Sequence, residues 1–169
     1  SHRRQRQMCI RDRLGVVAHK GGEFVLADIP GLIEGASEGI GLGHRFLGHV
    51  ERCRVLLHLV DGTQDDVTAA YQTIQDELSA YADGALMDRP QVLALNKCDA
   101  LDEETLKERL KDLEQASASK VIPISGVSGQ NVDQVIQLLA ETIGKEKTLE
   151  AENEAAEDNE GNPSGWVPL

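Results

Sequence analysis

The chain alternates short apolar runs with longer segments in which apolar residues recur every three or four positions. The longer segments predict helices, at residues 65–82, 102–117 and 131–143. The short runs predict strands, at residues 14–19, 23–28, 54–60, 91–95 and 121–124. Strands that alternate with helices form parallel βαβ units, and such sheets bind ligands at the carboxyl ends of their strands. The pattern therefore predicts an α/β fold with a mostly parallel sheet.

The first third of the chain departs from this alternation in two places. Residues 14–19 and 23–28 are joined by Lys20-Gly21-Gly22, which predicts a β-hairpin. Residues 31–43 then hold five glycines, too many for a helix or strand. They predict a mobile loop, followed by a short helix at about residues 44–52.

Asn96-Lys97-Cys98-Asp99 directly follows the apolar run 92–95, at the carboxyl end of a predicted buried strand. The Asp99 carboxylate can accept hydrogen bonds from the N1–H and the exocyclic amine of guanine. Adenine presents a bare acceptor at N1, so a fixed carboxylate discriminates against it. Asn96 can tie the loop to neighbouring backbone, and the stem of Lys97 can lie along the base plane. The string predicts a guanine-recognition loop, in which Cys98 is a small filler residue.

Asp28-Ile29-Pro30-Gly31 also directly follows a predicted strand. An Asp at this place can reach Mg²⁺ through a water, and a glycine N–H can approach a γ-phosphate with no Cβ in the way. Taken alone, such a string is more often an ordinary turn. Asp28 and Asn96 lie 68 residues apart, however, and each stands at a strand end. Together the two strings predict a site for GTP.

Residues 28–47, with Val50-Glu51-Arg52 and the strand at 55–61, resemble the switch II region of the Obg GTPases. These are bacterial, ribosome-associated P-loop GTPases, and the resemblance covers roughly residues 14–144. It implies a P-loop GTPase-like three-layer sandwich with GTP or GDP and Mg²⁺ as cofactors. It also implies slow GTP hydrolysis, as a molecular switch in ribosome assembly or stress signalling, with the large ribosomal subunit as partner. A third contact loop, Ser125-Gly126-Val127, is implied to cap the guanine O6 through a backbone N–H.

Other family features have no counterpart in the sequence. There is no G-x-x-x-x-G-K-[ST] string, and no threonine precedes Leu14 to act in switch I. The expectation is a truncated G domain that lacks its first strand, its phosphate loop and the direct Mg²⁺ ligands. No catalytic residue is assigned, because Leu32 and Ile33 follow Gly31 and neither can hydrogen-bond a water. The alternative is a non-enzymatic fold remnant or interaction module that binds no nucleotide.

Composition divides the chain into three segments. Residues 1–13 hold five arginines and one aspartate, which fits a basic nucleic-acid arm or, the favoured reading, a non-native leader. Residues 14–144 are the partial G domain. Residues 145–169 are acidic and poor in large apolar side chains, which predicts a disordered tail. The net charge of −12 argues against direct DNA binding.

The three cysteines show neither a C-x-x-C pair nor metal-ligand spacing, which favours reduced, intracellular thiols. No apolar run reaches the length of about 18 residues that a membrane span needs. The sequence thus predicts a cytoplasmic protein with no membrane partner. Of its histidines, His19, His49 and His58 are expected to be solvated or in the core rather than catalytic.

Overall fold

The computed structural model describes residues 14–20, 22–28, 53–80, 84 and 86–160, with side chains as far as residue 156. The strands are β1 (Leu14–His19), β2 (Gly22–Ala27), β3 (Leu56–Asp61), β4 (Gln91–Asn96) and β5 (Val121–Pro123). The helices are α1 (Val67–Ala80), α2 (Glu103–Ser117) and α3 (Val132–Glu160), with a 3-10 turn at Cys98–Ala100. The predicted leader 1–13, loop 31–43 and helix 44–52 lie outside the described residues.

Strands β3, β4 and β5 form a parallel sheet in that order. β4 is the central strand, and its residues Val92, Leu93, Ala94 and Leu95 are all at most 4% exposed. A strand that is apolar on both faces must be covered on both faces, which is the usual state of a parallel sheet. The prediction of an α/β fold with a parallel sheet is confirmed.

Two apolar clusters lie on opposite faces of this sheet. On one face, α1 and α2 pack against β3, β4 and β5 through Val60, Val67, Leu93, Leu95, Leu113 and Val121. On the other face, α3 packs against β4 and the end of β5 through Val92, Ala94, Ile122, Ile124, Val135 and Leu139. Alternate residues of β4 serve the two clusters, as the two-residue period of a strand requires. The result is a three-layer helix–sheet–helix arrangement.

The predicted hairpin is present, with β1 antiparallel to β2 and Val16 opposite Val25. It forms a separate two-stranded sheet, and among the described residues no ladder connects it with the parallel sheet. Phe24 packs against the cluster on the α3 side. Leu14, Val16 and Val25 point to the other face and are 55%, 69% and 61% exposed.

Helix α2 begins as the sequence predicts. Asp102 has extended backbone, and its carboxylate accepts hydrogen bonds from the Thr105 N–H at 2.8 Å and from the Thr105 hydroxyl at 2.9 Å. These bonds hold the pKa of Asp102 below its ordinary value. The N–H group satisfied in this way has no partner within the helix, so the cap fixes where the helix starts.

Helix α3 is longer than predicted. The sequence pattern predicts a helix that ends at Ile143 and a disordered segment from residue 145, whereas the structure continues the helix to Glu160. The segment 145–160 contains no proline and is rich in Ala, Glu and Lys, which are good helix formers. Gly144 opposes this by only about 1 kcal/mol. Glu150 also accepts an ion-paired hydrogen bond from Arg54 Nε at 2.8 Å, which joins the extension to the chain just before β3.

Candidate guanine-recognition site

The loop after β4 leaves the sheet at Asn96 and turns sharply. Lys97 has left-handed backbone, with φ 63° and ψ 32°, and the 3-10 turn follows immediately. A residue other than glycine adopts this conformation at a cost, so surrounding contacts must support it. Residues 92–95 of the strand below are buried, which gives the loop a rigid base.

The Asn96 side chain provides part of that support. Its Oδ1 accepts hydrogen bonds from the Lys97 N–H at 2.8 Å and from the Gly126 N–H at 3.0 Å. The first bond stabilises the turn, and the second joins the loop after β4 to the loop after β5. The expected tie between Asn96 and neighbouring backbone is therefore present, and it brings two of the three predicted contact loops together.

Asp99 lies in the 3-10 turn and is exposed. Within the described residues, its carboxylate accepts no hydrogen bond from a protein side chain. Cys98, one residue earlier, is 5% exposed, and its N–H donates to the Ile124 carbonyl at 3.0 Å. Burial, followed by the neighbouring Asp99 charge, raises the pKa of the Cys98 thiol. Cys98 thus anchors the turn from below as a neutral filler, and Asp99 presents an acceptor to solvent.

Lys97 is ion-paired with the strand beside it. Its Nζ lies 2.7 Å from Oδ2 of Asp61, the last residue of β3. The other carboxylate oxygen of Asp61 accepts hydrogen bonds from the Thr63 N–H at 2.9 Å and the Thr63 hydroxyl at 2.7 Å. The Lys97 ammonium and these Thr63 donors lower the pKa of Asp61 to about 2. The carboxylate is consequently ionised at neutral pH.

The loop after β5 is folded back on itself. Ser125 is fully buried, its Oγ accepts a hydrogen bond from the Ser128 N–H at 3.1 Å, and its carbonyl accepts one from the Gly129 N–H at 2.9 Å. Val127, by contrast, is 92% exposed. The Gly126 N–H, expected from the family resemblance to cap the guanine O6, donates instead to Asn96. The contact with O6 therefore stays a prediction.

Known GTPases are similar in sequence to this chain. The model of the 50S ribosome-binding GTPase family matches residues 5–97, which include part of the segment predicted as a leader. The GTPase Obg of Rhizorhabdus wittichii is 51% identical over 160 residues, which cover 95% of this chain and 44% of the relative. The GTPase Obg of Zymomonas mobilis is 49% identical over the same length, with the same coverage of each chain.

The chain belongs to the Obg GTPase family. It spans 44% of the length of these two curated relatives. A solved structure, that of a probable GTP-binding protein EngB, is similar with a TM-score of 0.47 and 18% identity over 80% of this chain and 86% of that one. In the part of the Obg-family chain that the structure describes, no helix is both long and apolar enough to span a membrane.

Of the residues predicted to bind the phosphates, the structure describes only Asp28. This residue directly follows β2 and is exposed, while Ile29, Pro30 and Gly31 lie outside the described residues. The structure therefore describes the loops after β4 and β5, which are predicted to contact the base, and the proximity of Asp28 to them stays a prediction.

Three residues at the end of β3 and directly after it have no role in the sequence-based prediction, and they adjoin the loop after β4. Asp61 pairs with Lys97, and Gly62 donates its N–H to the Asn96 carbonyl at 2.8 Å. Thr63 holds the Asp61 carboxylate. Neighbouring parallel strands end at the same edge of a sheet. The acidic residue and the glycine at the end of the strand next to β4 could therefore have indicated that these residues lie near the predicted site.

Proposed function

We propose that this chain recognises the guanine base of GTP and GDP through the loops that follow β4 and β5. The observation that carries the proposal is the hydrogen bond from the Gly126 N–H to Asn96 Oδ1, since it brings residues 96–99 and 125–127 to one edge of the sheet. The exposed Asp99 carboxylate on this edge is the acceptor that a guanine N1–H and amine require. Membership of the Obg GTPase family supports a guanine nucleotide as the ligand.

The remaining contacts with the base follow from the chemistry of these loops. The half-exposed stem of Lys97 offers an apolar surface to one face of the base. A carbonyl oxygen such as guanine O6 requires a donor, and the Gly126 N–H already has an acceptor in Asn96. Among the described residues the Val127 N–H has no protein acceptor. We assign the contact with O6 to the Ser125-Gly126-Val127 loop, with the Val127 N–H as its available donor.

Binding of the phosphates rests on Asp28, Ile29, Pro30 and Gly31. Asp28 is an exposed carboxylate at a strand end, which suits an outer contact with Mg²⁺ through a water. The 169 residues hold no phosphate-loop string, however, so tight binding of a triphosphate requires residues outside this sequence. The family activity, GTP hydrolysis, is proposed for the longer protein. We expect it to be slow, because Leu32 and Ile33 cannot orient a water.

In that longer protein, loop 31–43 is proposed as the switch that responds to the γ-phosphate, since five of its thirteen residues are glycines, which have no side chain. Hydrogen exchange in the loop that is identical with GDP and with a non-hydrolysable GTP analogue would contradict this role. The large ribosomal subunit, in the cytoplasm, is the proposed partner, because the matching family model is that of a 50S ribosome-binding GTPase.

Calorimetric titration of the 169-residue chain with GTP and Mg²⁺ tests the proposal, with ATP as the control. Without a phosphate loop, binding energy comes from the base alone, so we expect GTP to bind with a dissociation constant near 1 mM, on the scale of about −4 kcal/mol. We expect ATP not to bind and no phosphate to be released. Equal binding of GTP and ATP would contradict guanine recognition by this chain. A micromolar constant for GTP would show that this chain holds the phosphates without the string that the family uses.

A further inference from the structure

Asp61 and Lys97 stand at the ends of adjacent parallel strands. The register places Asp61 opposite Asn96, so Lys97 is the first residue beyond the paired strands. Both carboxylate oxygens of Asp61 are occupied, Oδ1 by the two Thr63 donors and Oδ2 by Lys97 Nζ. A carboxylate held at both oxygens has one orientation, and it therefore fixes the position of the ammonium that it binds.

The loop that follows Asp61 is itself held in place. The Gly62 N–H donates to the Asn96 carbonyl at 2.8 Å. Arg109, on α2, donates to the carbonyls of Gly62 and Gln64. The loop after β3 is thus bound to β4 on one side and to α2 on the other, so it forms a fixed support for Lys97.

The ion pair contributes little to the stability of the fold. The Lys97 side chain is 50% exposed and that of Asp61 is 31% exposed, and exposed ion pairs are weak because water and salt screen them. Its effect on geometry is larger, because Lys97 has left-handed backbone and a long side chain with many rotamers. Holding Nζ 2.7 Å from Asp61 Oδ2 restricts the Lys97 stem to the rotamers that reach the end of β3.

We propose that Asp61 is a positioning residue for guanine binding, which acts through Lys97 by fixing the side-chain stem against which the base lies. The inference rests on the proposed function, since it assumes that the loop at residues 96–99 binds guanine. It predicts that a loss of the Asp61 charge weakens binding of the base without unfolding the protein. It also predicts that this effect disappears when Lys97 no longer has an ammonium.

Titration of the 169-residue chain with GMP, followed by NMR, tests the inference. Asp61→Asn is expected to weaken GMP binding about three- to tenfold, which lies towards the lower end of the coupling found between residues in direct contact. Asp112→Asn is the matched control, because Asp112 is exposed on α2 and makes the same change of charge away from the loop. Its dissociation constant for GMP is expected to equal that of the unaltered chain.

A double-mutant cycle separates positioning from a purely structural role. In the Lys97→Gln background, Asp61→Asn is expected to have no further effect on GMP binding, since its partner is gone. An equal loss in both backgrounds would overturn the inference, and so would binding by Asp61→Asn that matches the unaltered chain. Either result would leave the proposed function intact. Absence of GMP binding by the unaltered chain would overturn the proposed function and the inference with it.

Thr63→Val keeps the test decisive should Asp61→Asn fail to fold. This variant removes one of the two Thr63 hydrogen bonds to the Asp61 carboxylate and leaves both charges of the ion pair in place. A smaller loss of GMP affinity in the same direction is expected, and it too is expected to vanish in the Lys97→Gln background. Unchanged affinity in Thr63→Val, together with an unfolded Asp61→Asn, would count against a positioning role.

Discussion

The Asn96 side-chain oxygen lies 3.0 Å from the amide nitrogen of Gly126, and this hydrogen bond spans 30 residues of sequence. The same oxygen accepts the Lys97 N–H at 2.8 Å. One amide side chain thus holds together the loop that ends β4 and the loop that ends β5. Guanine recognition by two separate loops depends on such a link, since a small shift of either loop moves the donors and acceptors away from the base.

Asn96→Ala is expected to lower the free energy of unfolding by about 1–2 kcal/mol, because two N–H groups lose their acceptor. Urea denaturation measures this loss. Gln115→Ala is the control, since Gln115 is exposed on α2 and has no contact with the loops. Asn96→Asp keeps an acceptor oxygen at the same place and is expected to be more stable than Asn96→Ala. Equal stability of Asn96→Ala and Gln115→Ala would contradict the linking role.

Asp99→Asn is expected to weaken GMP binding and to improve binding of xanthosine monophosphate, because the amide can donate to the 2-oxo group of xanthine. Competition between the two nucleotides, followed by NMR, measures the change of preference. The fold is expected to be unaffected, since Asp99 is exposed. An unaltered preference for GMP in Asp99→Asn would remove Asp99 from the site.

Gly62→Ala is expected to destabilise the fold by about 1–3 kcal/mol, the cost of forcing an extra methyl group into packed surroundings. A Cβ on Gly62 would lie 2.7 Å from the Asn96 carbonyl oxygen and 3.1 Å from Leu101 Cδ1. Gly126→Ala is the matched control, because a Cβ there lies at an ordinary 3.6 Å from Asn96 Oδ1. That control is expected to be neutral or to gain about 0.4–1 kcal/mol from a less flexible unfolded chain. Thermal unfolding measures the stability of both variants. A Gly62→Ala variant as stable as Gly126→Ala would contradict the close approach of the Asn96 carbonyl to Gly62.

The fold is expected to become less stable as the pH falls, because His58 is buried. This residue is 8% exposed, its ring stacks on Tyr71 with 5.3 Å between centroids, and burial lowers its pKa from 6.5 to about 4. The neutral form is therefore favoured in the native state. The free energy of unfolding that this preference contributes is fully present above pH 6.5, and it is lost as pH falls from 6.5 towards 4.

When the pH is lowered from 7.5 to 5, protonation of His58 lowers the free energy of unfolding by about 2 kcal/mol. Urea denaturation at the two pH values measures the difference. His58→Phe keeps an aromatic ring against Tyr71 and is expected to lose most of this difference between the two pH values. His19→Leu is the control, and it is expected to show the same difference as the unaltered chain. Asp61, whose pKa is lowered to about 2, affects stability in a separate pH range. Its contribution to the free energy of unfolding is lost only as pH falls from about 3.8 towards 2. A His58→Phe variant with the full pH dependence would contradict this account.

Much of the architecture is predictable from local pattern. The buried strand β4, the hairpin and the Asp102 cap each depend on a few neighbouring residues, and each is found where the sequence places it. The end of α3 was not predictable in this way, because the predicted stop at Ile143 relied on Gly144 and on composition. Exposed Ala, Glu and Lys residues support either a helix or disorder.

The details of the site depend on neighbours in space. The string at residues 96–99 identifies the loop after β4, but the partner of Lys97 depends on which strand lies beside β4 and in which register. The acceptor of the Gly126 N–H likewise depends on the distance between two loops. Neither relationship leaves a signal in the spacing of residues, so both require the fold.

The most direct test of guanine recognition is a comparison of GMP and AMP by amide NMR on the 169-residue chain. We expect GMP to shift the amide resonances of residues 96–99 and 125–127, and AMP at the same concentration to leave them in place. Equal shifts with the two nucleotides, or shifts with GMP that fall elsewhere on the protein, would contradict this expectation.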